Sequence, residues 1–181
     1  MKLNTLTQYF ITNKDMGFSL QENGFEKKKY EIIIAEAIQK HMPDMFAVGS
    51  EDHLEVVLNS LCKNAKSRIW LLSDCFNKSI FSSRCMSTIE DCASNSCDIR
   101  IVLKQQPDVE IPDKLTQYIK VQTAHREKML PSMIIVNNDY FGIQLVESSA
   151  EYLICYYDSN AAMKNLVLPM IAIFESTWKN L

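Results

Sequence analysis

Apolar positions in this chain recur with two different spacings, and the changes between them lay out an alternation of helices and strands. Residues 25–45, FEKKKYEIIIAEAIQKHMPDM, read as a helix with Ile33, Ala37, Ile38 and Met42 near one face and Pro43 as its stop. Residues 50–66 read as a second helix, with Ser50 as N-cap and a stripe of Leu54, Val57, Leu58 and Leu61. SRIWLLSD follows as a compact apolar run of the kind that forms a strand buried on both faces. A third helix is expected over 77–95, using Ile80, Met86, Ile89 and Ala93. In CDIRIVLKQ, Ile99, Ile101 and Leu103 alternate with Arg100, Val102 and Lys104, which predicts another strand.

Further strands are expected around Ile119–Gln122, over Met133–Val136, over Phe141–Val146 and within EYLICYYD. The stretch MLPSMIIVNNDYFGIQLVES therefore reads as a hairpin. The last 23 residues form a long helix capped by Ser159 or Asn160, with Pro169 expected to kink or break it. The first 25 or so residues leave an arm, a hairpin or an ordered cap open. Strand–helix–strand order with a hairpin predicts an α/β fold with a mixed β-sheet flanked by helices. It divides into an N-terminal helical extension, 1–49, and an α/β domain, 50–181.

Composition changes this picture little. Apolar residues at 47% and charged residues at 23% describe an ordinary packed domain. A net charge of −3 gives no overall basic field, so nucleic acid would need a local patch. Basic residues gather between 63 and 128, and Lys63, Lys66, Arg68, Arg100 and Lys104 are the candidates for such a patch. The Lys27–Lys28–Lys29 run reads as a solvated helix start. No apolar run reaches the ~20 residues of a membrane span, and the start lacks the pattern of a secretory signal, so a cytoplasmic protein without membrane contact is expected. Cys62, Cys75, Cys85, Cys92, Cys97 and Cys155 include no C-x-x-C pair and read as small core residues in a reducing compartment. No metal or cofactor is expected. Asp74 and Cys75, after the SRIWLL strand, read as a helix-capping turn, with a place on a pocket at the sheet's carboxyl edge as the alternative.

The order of elements, the hairpin and the closing IFESTW, with Phe174 and Trp178 one helical turn apart, resemble one half of the phospholipase D-like superfamily over residues 50–181. That superfamily includes single-domain nucleases and the effector domains of TrmB-like regulators. Its chemistry uses H-x-K-x4-D followed by a Gly-Ser turn. The resemblance implies a histidine that attacks phosphorus, a lysine that holds the anionic oxygens, and an aspartate that supports the arrangement. With Asn137 at the Asp position, Ser132 stands where the lysine belongs, Leu130 where the histidine belongs, and Gly142 is followed by Ile143. Leucine cannot attack phosphorus, and serine carries no charge to stabilise a phosphorane oxygen.

The expected function is thus a catalytically inactive binding or assembly module. The resemblance implies a homodimer, a protein partner or nucleic acid as ligand, and a prokaryotic regulatory, mobile-element or antiviral defence setting. A diverged phosphodiesterase or nuclease using His125 and Lys128 of AHREK, with Asp139 downstream, is the alternative. A ligand-sensing regulator is a third, although residues 1–49 show one convincing helix and not a helix-turn-helix.

Overall fold

The computed structural model describes residues 24–41, 45–73, 81–105, 111, 113–121, 131–145, 151–158 and 161–181. In chain order the elements are α1 (Gly24–Gln39), β1 (Met45–Val48), α2 (Glu51–Lys63), β2 (Arg68–Ser73), α3 (Ser83–Ser94), β3 (Asp98–Leu103), α4 (Asp113–Thr116), β4 (Ile119–Val121), β5 (Met133–Val136), β6 (Tyr140–Gln144), β7 (Tyr152–Tyr156) and α5 (Ala161–Lys179).

Seven strands form one mixed sheet in the order β1-β7-β6-β5-β2-β3-β4. β2, β3 and β4 run parallel, because α3 and then α4 return the chain to the same edge between them. β5 turns back antiparallel on β2 and begins a meander through β6 and β7 to β1. β1 was not assigned in the sequence reading; four residues between Pro43 and Gly49 carry too little pattern. Residues 24–48 thus supply both an edge strand and a helix, α1, that packs on α2.

Strand alternation divides the core in two. Ile69, Leu71, Ile99, Ile101, Leu103, Ile134 and Val136 face the layer built by α1, α2 and α3. Trp70, Leu72, Val102, Met133, Ile135 and Phe141 face α5 through its Val167, Ile171 and Phe174. Burial on both faces explains why β2 is apolar almost throughout.

Side-chain caps fix the helix starts. Ser50 Oγ accepts from His53 N at 3.4 Å, and Ser82 Oγ accepts from Cys85 N at 3.3 Å. α3 is therefore shorter than the expected 77–95, and Ile80 lies outside the described residues.

Several other expectations are corrected. α1 buries Tyr30, Ile34, Ala37 and Ile38, while Ile33 is only half-buried and Ile32 is exposed. A run of three isoleucines fits either phase of the helix, and packing on α2 selected the phase that seats Tyr30. Met42 lies outside the described residues. α5 runs on through Pro169, which faces solvent, where water can satisfy the carbonyl that the proline leaves without an amide. Phe174 is fully buried and stacked on Trp70, with centroids 5.2 Å apart and planes 11° apart, whereas Trp178 is only half-buried. Cys62, Cys85, Cys92, Cys97 and Cys155 are free and buried, and burial pushes the Cys85, Cys97 and Cys155 thiols up to about 11. Cys75 lies outside the described residues.

Candidate functional site

The hairpin β5–β6 has two ends, and they differ in chemistry. At the amino end of β5, Ser132 stands next to the carboxyl end of β2, since Leu72 pairs with Met133. It is 1% exposed, and its Oγ has no hydrogen-bond partner among the described residues. Its carbonyl accepts from Gln144 N at 2.9 Å. A hydroxyl here supplies no positive charge. Leu130, His125, Lys128, Asp74 and Cys75 lie outside the described residues.

The other end is the turn at 137–139. Asn137 adopts φ +54°, a left-handed conformation that asparagine tolerates better than most residues. Its Oδ1 accepts from Lys66 N at 2.7 Å and Ser67 N at 3.1 Å, and its Nδ2 donates to Asn64 O at 3.3 Å. Asn137 therefore ties the hairpin turn to the loop between α2 and β2. β5 separates it from Ser132 by roughly 16 Å at ~3.3 Å per residue. Gly142 pairs with Ile134 on one side and Ile154 on the other. A Cβ there would lie 3.2 Å from Ile154 Cγ1 and 3.4 Å from Ile134 Cβ, so core packing accounts for this glycine.

Beside the same turn, α1 is fastened to the hairpin. Tyr140 donates its hydroxyl proton to Ile38 O at 2.8 Å, and its oxygen lies 3.2 Å from His41 Nδ1. With the hydroxyl proton committed, Nδ1–H is the donor of the second bond. His41 also stacks on Tyr156 at 4.2 Å. Asp139 has one buried carboxylate oxygen with no hydrogen-bond partner among the described residues, and burial raises its pKa above the usual range.

The basic candidates separate into three places. Lys63 and Lys66 line a cleft of about 430 Å³ with Thr88, Asp91, Cys92 and Cys97. Arg68 and Arg100 converge on Trp70, with guanidinium carbons 4.4 Å and 4.5 Å from its ring centroid. Lys104 stands apart, buried at the far end of β3, where its amide donates to Ser73 O at 2.9 Å. Lys120 was missed. It lies on the short strand β4, with Nζ 4.3 Å from the Trp178 centroid and donating to Trp178 O at 2.8 Å. No local motif marks it, since its partner is 58 residues away.

Among the described residues no group of three or more His, Cys, Asp or Glu converges as a metal site. No described helix is long and apolar enough to cross a membrane. The fold is that of phospholipase D-type proteins. It is similar to that of TrmBL2, an archaeal chromatin protein whose structure shows a novel mode of DNA binding, with a TM-score of 0.57 at 13% identity over 96% of this chain and 68% of that one. It is also similar to Nuc, a phospholipase D family member from Salmonella typhimurium, with a TM-score of 0.51 at 14% identity over 68% of this chain and 86% of that one. By sequence, no family profile and no curated protein matches.

Proposed function

We propose that this chain is a phospholipase D-fold module that binds without cleaving, pairs with a second copy of itself, and takes nucleic acid as a ligand. One observation carries the first part. The residue in the place of the superfamily's lysine, Ser132, is buried and uncharged at the sheet's carboxyl edge, with no partner for its Oγ among the described residues, so this position itself supplies no cation to hold a phosphorane oxygen. Asn137 likewise spends its amide on the α2–β2 loop. The exposed Leu166, Leu168 and Ile173 of α5 give pairing an apolar footing, because a helix apolar beyond its core face favours a further contact. TrmBL2 and the gathered cations of β2, β3 and β4 favour nucleic acid over a protein partner. The cytoplasmic, prokaryotic regulatory or defence setting rests on the resemblance alone.

The test is hydrolysis of bis-p-nitrophenyl phosphate and of duplex DNA by the purified chain. No turnover above buffer is expected. Turnover that His125→Ala abolishes would establish the phosphodiesterase reading instead. Light scattering should give twice the chain mass, and Leu166→Asp with Ile173→Asp should return it to a monomer.

A further inference from the structure

On the α5 side of the sheet, cations and indoles alternate across three adjacent strands. Arg68 on β2 and Arg100 on β3 lie over Trp70, whose register partner is Arg100. Arg100 lies also 5.8 Å from the Trp178 centroid, and Lys120 on β4 lies 4.3 Å from the same ring. Indole faces attract cations, so the two rings fix where three long, mobile side chains carry their charge. Hydrogen bonds hold the set further. Arg68 donates to Asn138, Trp70 Nε1 donates to Asp98 Oδ2 at 3.1 Å, and Arg100 pairs with Asp98 at 2.8 Å. Asp98 is the one carboxylate bonded to this group among the described residues; Arg68 and Lys120 donate to a neutral amide and a carbonyl.

We propose that Arg68, Arg100 and Lys120 form a sequence-blind contact for the sugar–phosphate backbone of nucleic acid, with Trp70 and Trp178 as positioning residues. This deepens the nucleic-acid part of the function proposed above and rests on it. The contact lies at the amino ends of β2 and β3, the opposite edge of the sheet from Ser132. Each cation is displaced by two residues along the strands from the last, since Trp70 pairs with Arg100 and Val102 with Lys120, so two interstrand steps of ~4.8 Å and two offsets of ~6.6 Å spread the three positions over roughly 16 Å. One DNA strand presents a phosphate every ~3.4 Å of helix axis, so this span covers about five, of which the three cations can neutralise up to three. Trp70 is buried and offers no face for a base to stack on, and the half-buried Trp178 ring is engaged by two cations. Recognition therefore rests on charge and spacing and carries no sequence information.

The test is fluorescence anisotropy of a labelled DNA duplex and of its separate strand, at 50 and 200 mM salt. With two to three phosphates neutralised, duplex affinity should fall roughly 12- to 42-fold across that range. Arg68→Gln with Arg100→Gln and Lys120→Gln should abolish binding while retaining the wild-type near-UV circular dichroism. Arg68→Lys with Arg100→Lys keeps the charge, so it should weaken binding yet retain the salt slope and thereby show that a loss in the glutamine variant is not misfolding. Trp178→Leu should lower affinity at an unchanged salt slope, which a charge-bearing role would not do. Loss of binding in Lys63→Gln with Lys66→Gln, and not in the triple variant, would overturn this location and leave the nucleic-acid reading standing. No binding by the wild type up to about 100 μM, the weak end of non-specific contacts, would overturn both. Binding to phosphatidylserine vesicles without binding to nucleic acid would overturn the proposal in favour of a membrane surface.

Discussion

Truncating Phe174 to alanine tests the way α5 seals the sheet. The ring is fully buried, lies flat on Trp70 and faces Val102 and Ile135 across the α5-side core. Its loss removes the transfer energy of a whole phenyl group and leaves a cavity under a helix that cannot collapse onto a flat strand surface, about 3–5 kcal/mol in all. The stacked pair itself accounts for about 0.5–1.5 kcal/mol beyond area. In a chain of this size that shifts the melting midpoint by roughly 6–20 °C. Trp178→Ala should cost less, about 1–2 kcal/mol, because its ring is half-exposed and is covered mainly by the mobile ends of Arg100 and Lys120. Urea unfolding followed by far-UV circular dichroism reads both. If Trp178→Ala proves the more damaging, or Phe174→Ala lowers the unfolding free energy by less than about 1 kcal/mol, the packing of α5 is not as described.

Three further outcomes are expected. Gly142→Ala should destabilise by about 1–3 kcal/mol, since its new methyl group must displace Ile154 or Ile134; a neutral result in thermal unfolding would mean that this part of the core is loosely packed. Asn137→Ala should cost about 1–3 kcal/mol by leaving the Lys66 and Ser67 amides without their acceptor and placing alanine at positive φ, whereas Asn137→Asp keeps the acceptor and should cost less. Asp139→Asn should stabilise the chain near neutral pH. Burial raises the folded-state pKa of Asp139 above its unfolded value, so the folded chain holds the proton more tightly. The ionised form is then a penalty that sets in as pH rises through that window and is absent below the unfolded value. The advantage of the asparagine variant should therefore vanish at pH 3, and an equal advantage at pH 3 and pH 7 would sink the assignment.

What the sequence determined by itself was local period and capping. The alternation in DIRIVL, the stripe from Leu54 to Leu61 and the cap at Ser50 are encoded within a few residues of one another, and each reappears in the structure. The alignment of Ser132 and Asn137 with the motif positions likewise depends only on spacing along one hairpin, and is set by counting. Tertiary structure decided everything that depends on phase or register between distant segments. It chose Tyr30 and Ile34 over Ile33, gave β1 a partner more than 100 residues away in β7, and showed that Asn137 serves a loop and Gly142 a close packing contact. It also sorted five basic candidates into a cleft, a cation–indole strip and a buried end, and added Lys120 to the strip. The physical reason is the range of the interactions. A helical or strand period is a property of neighbours three, four or two residues apart, whereas Trp70 meets Arg100 only once two strands pair in register, and meets Phe174 only once the last helix has closed over them.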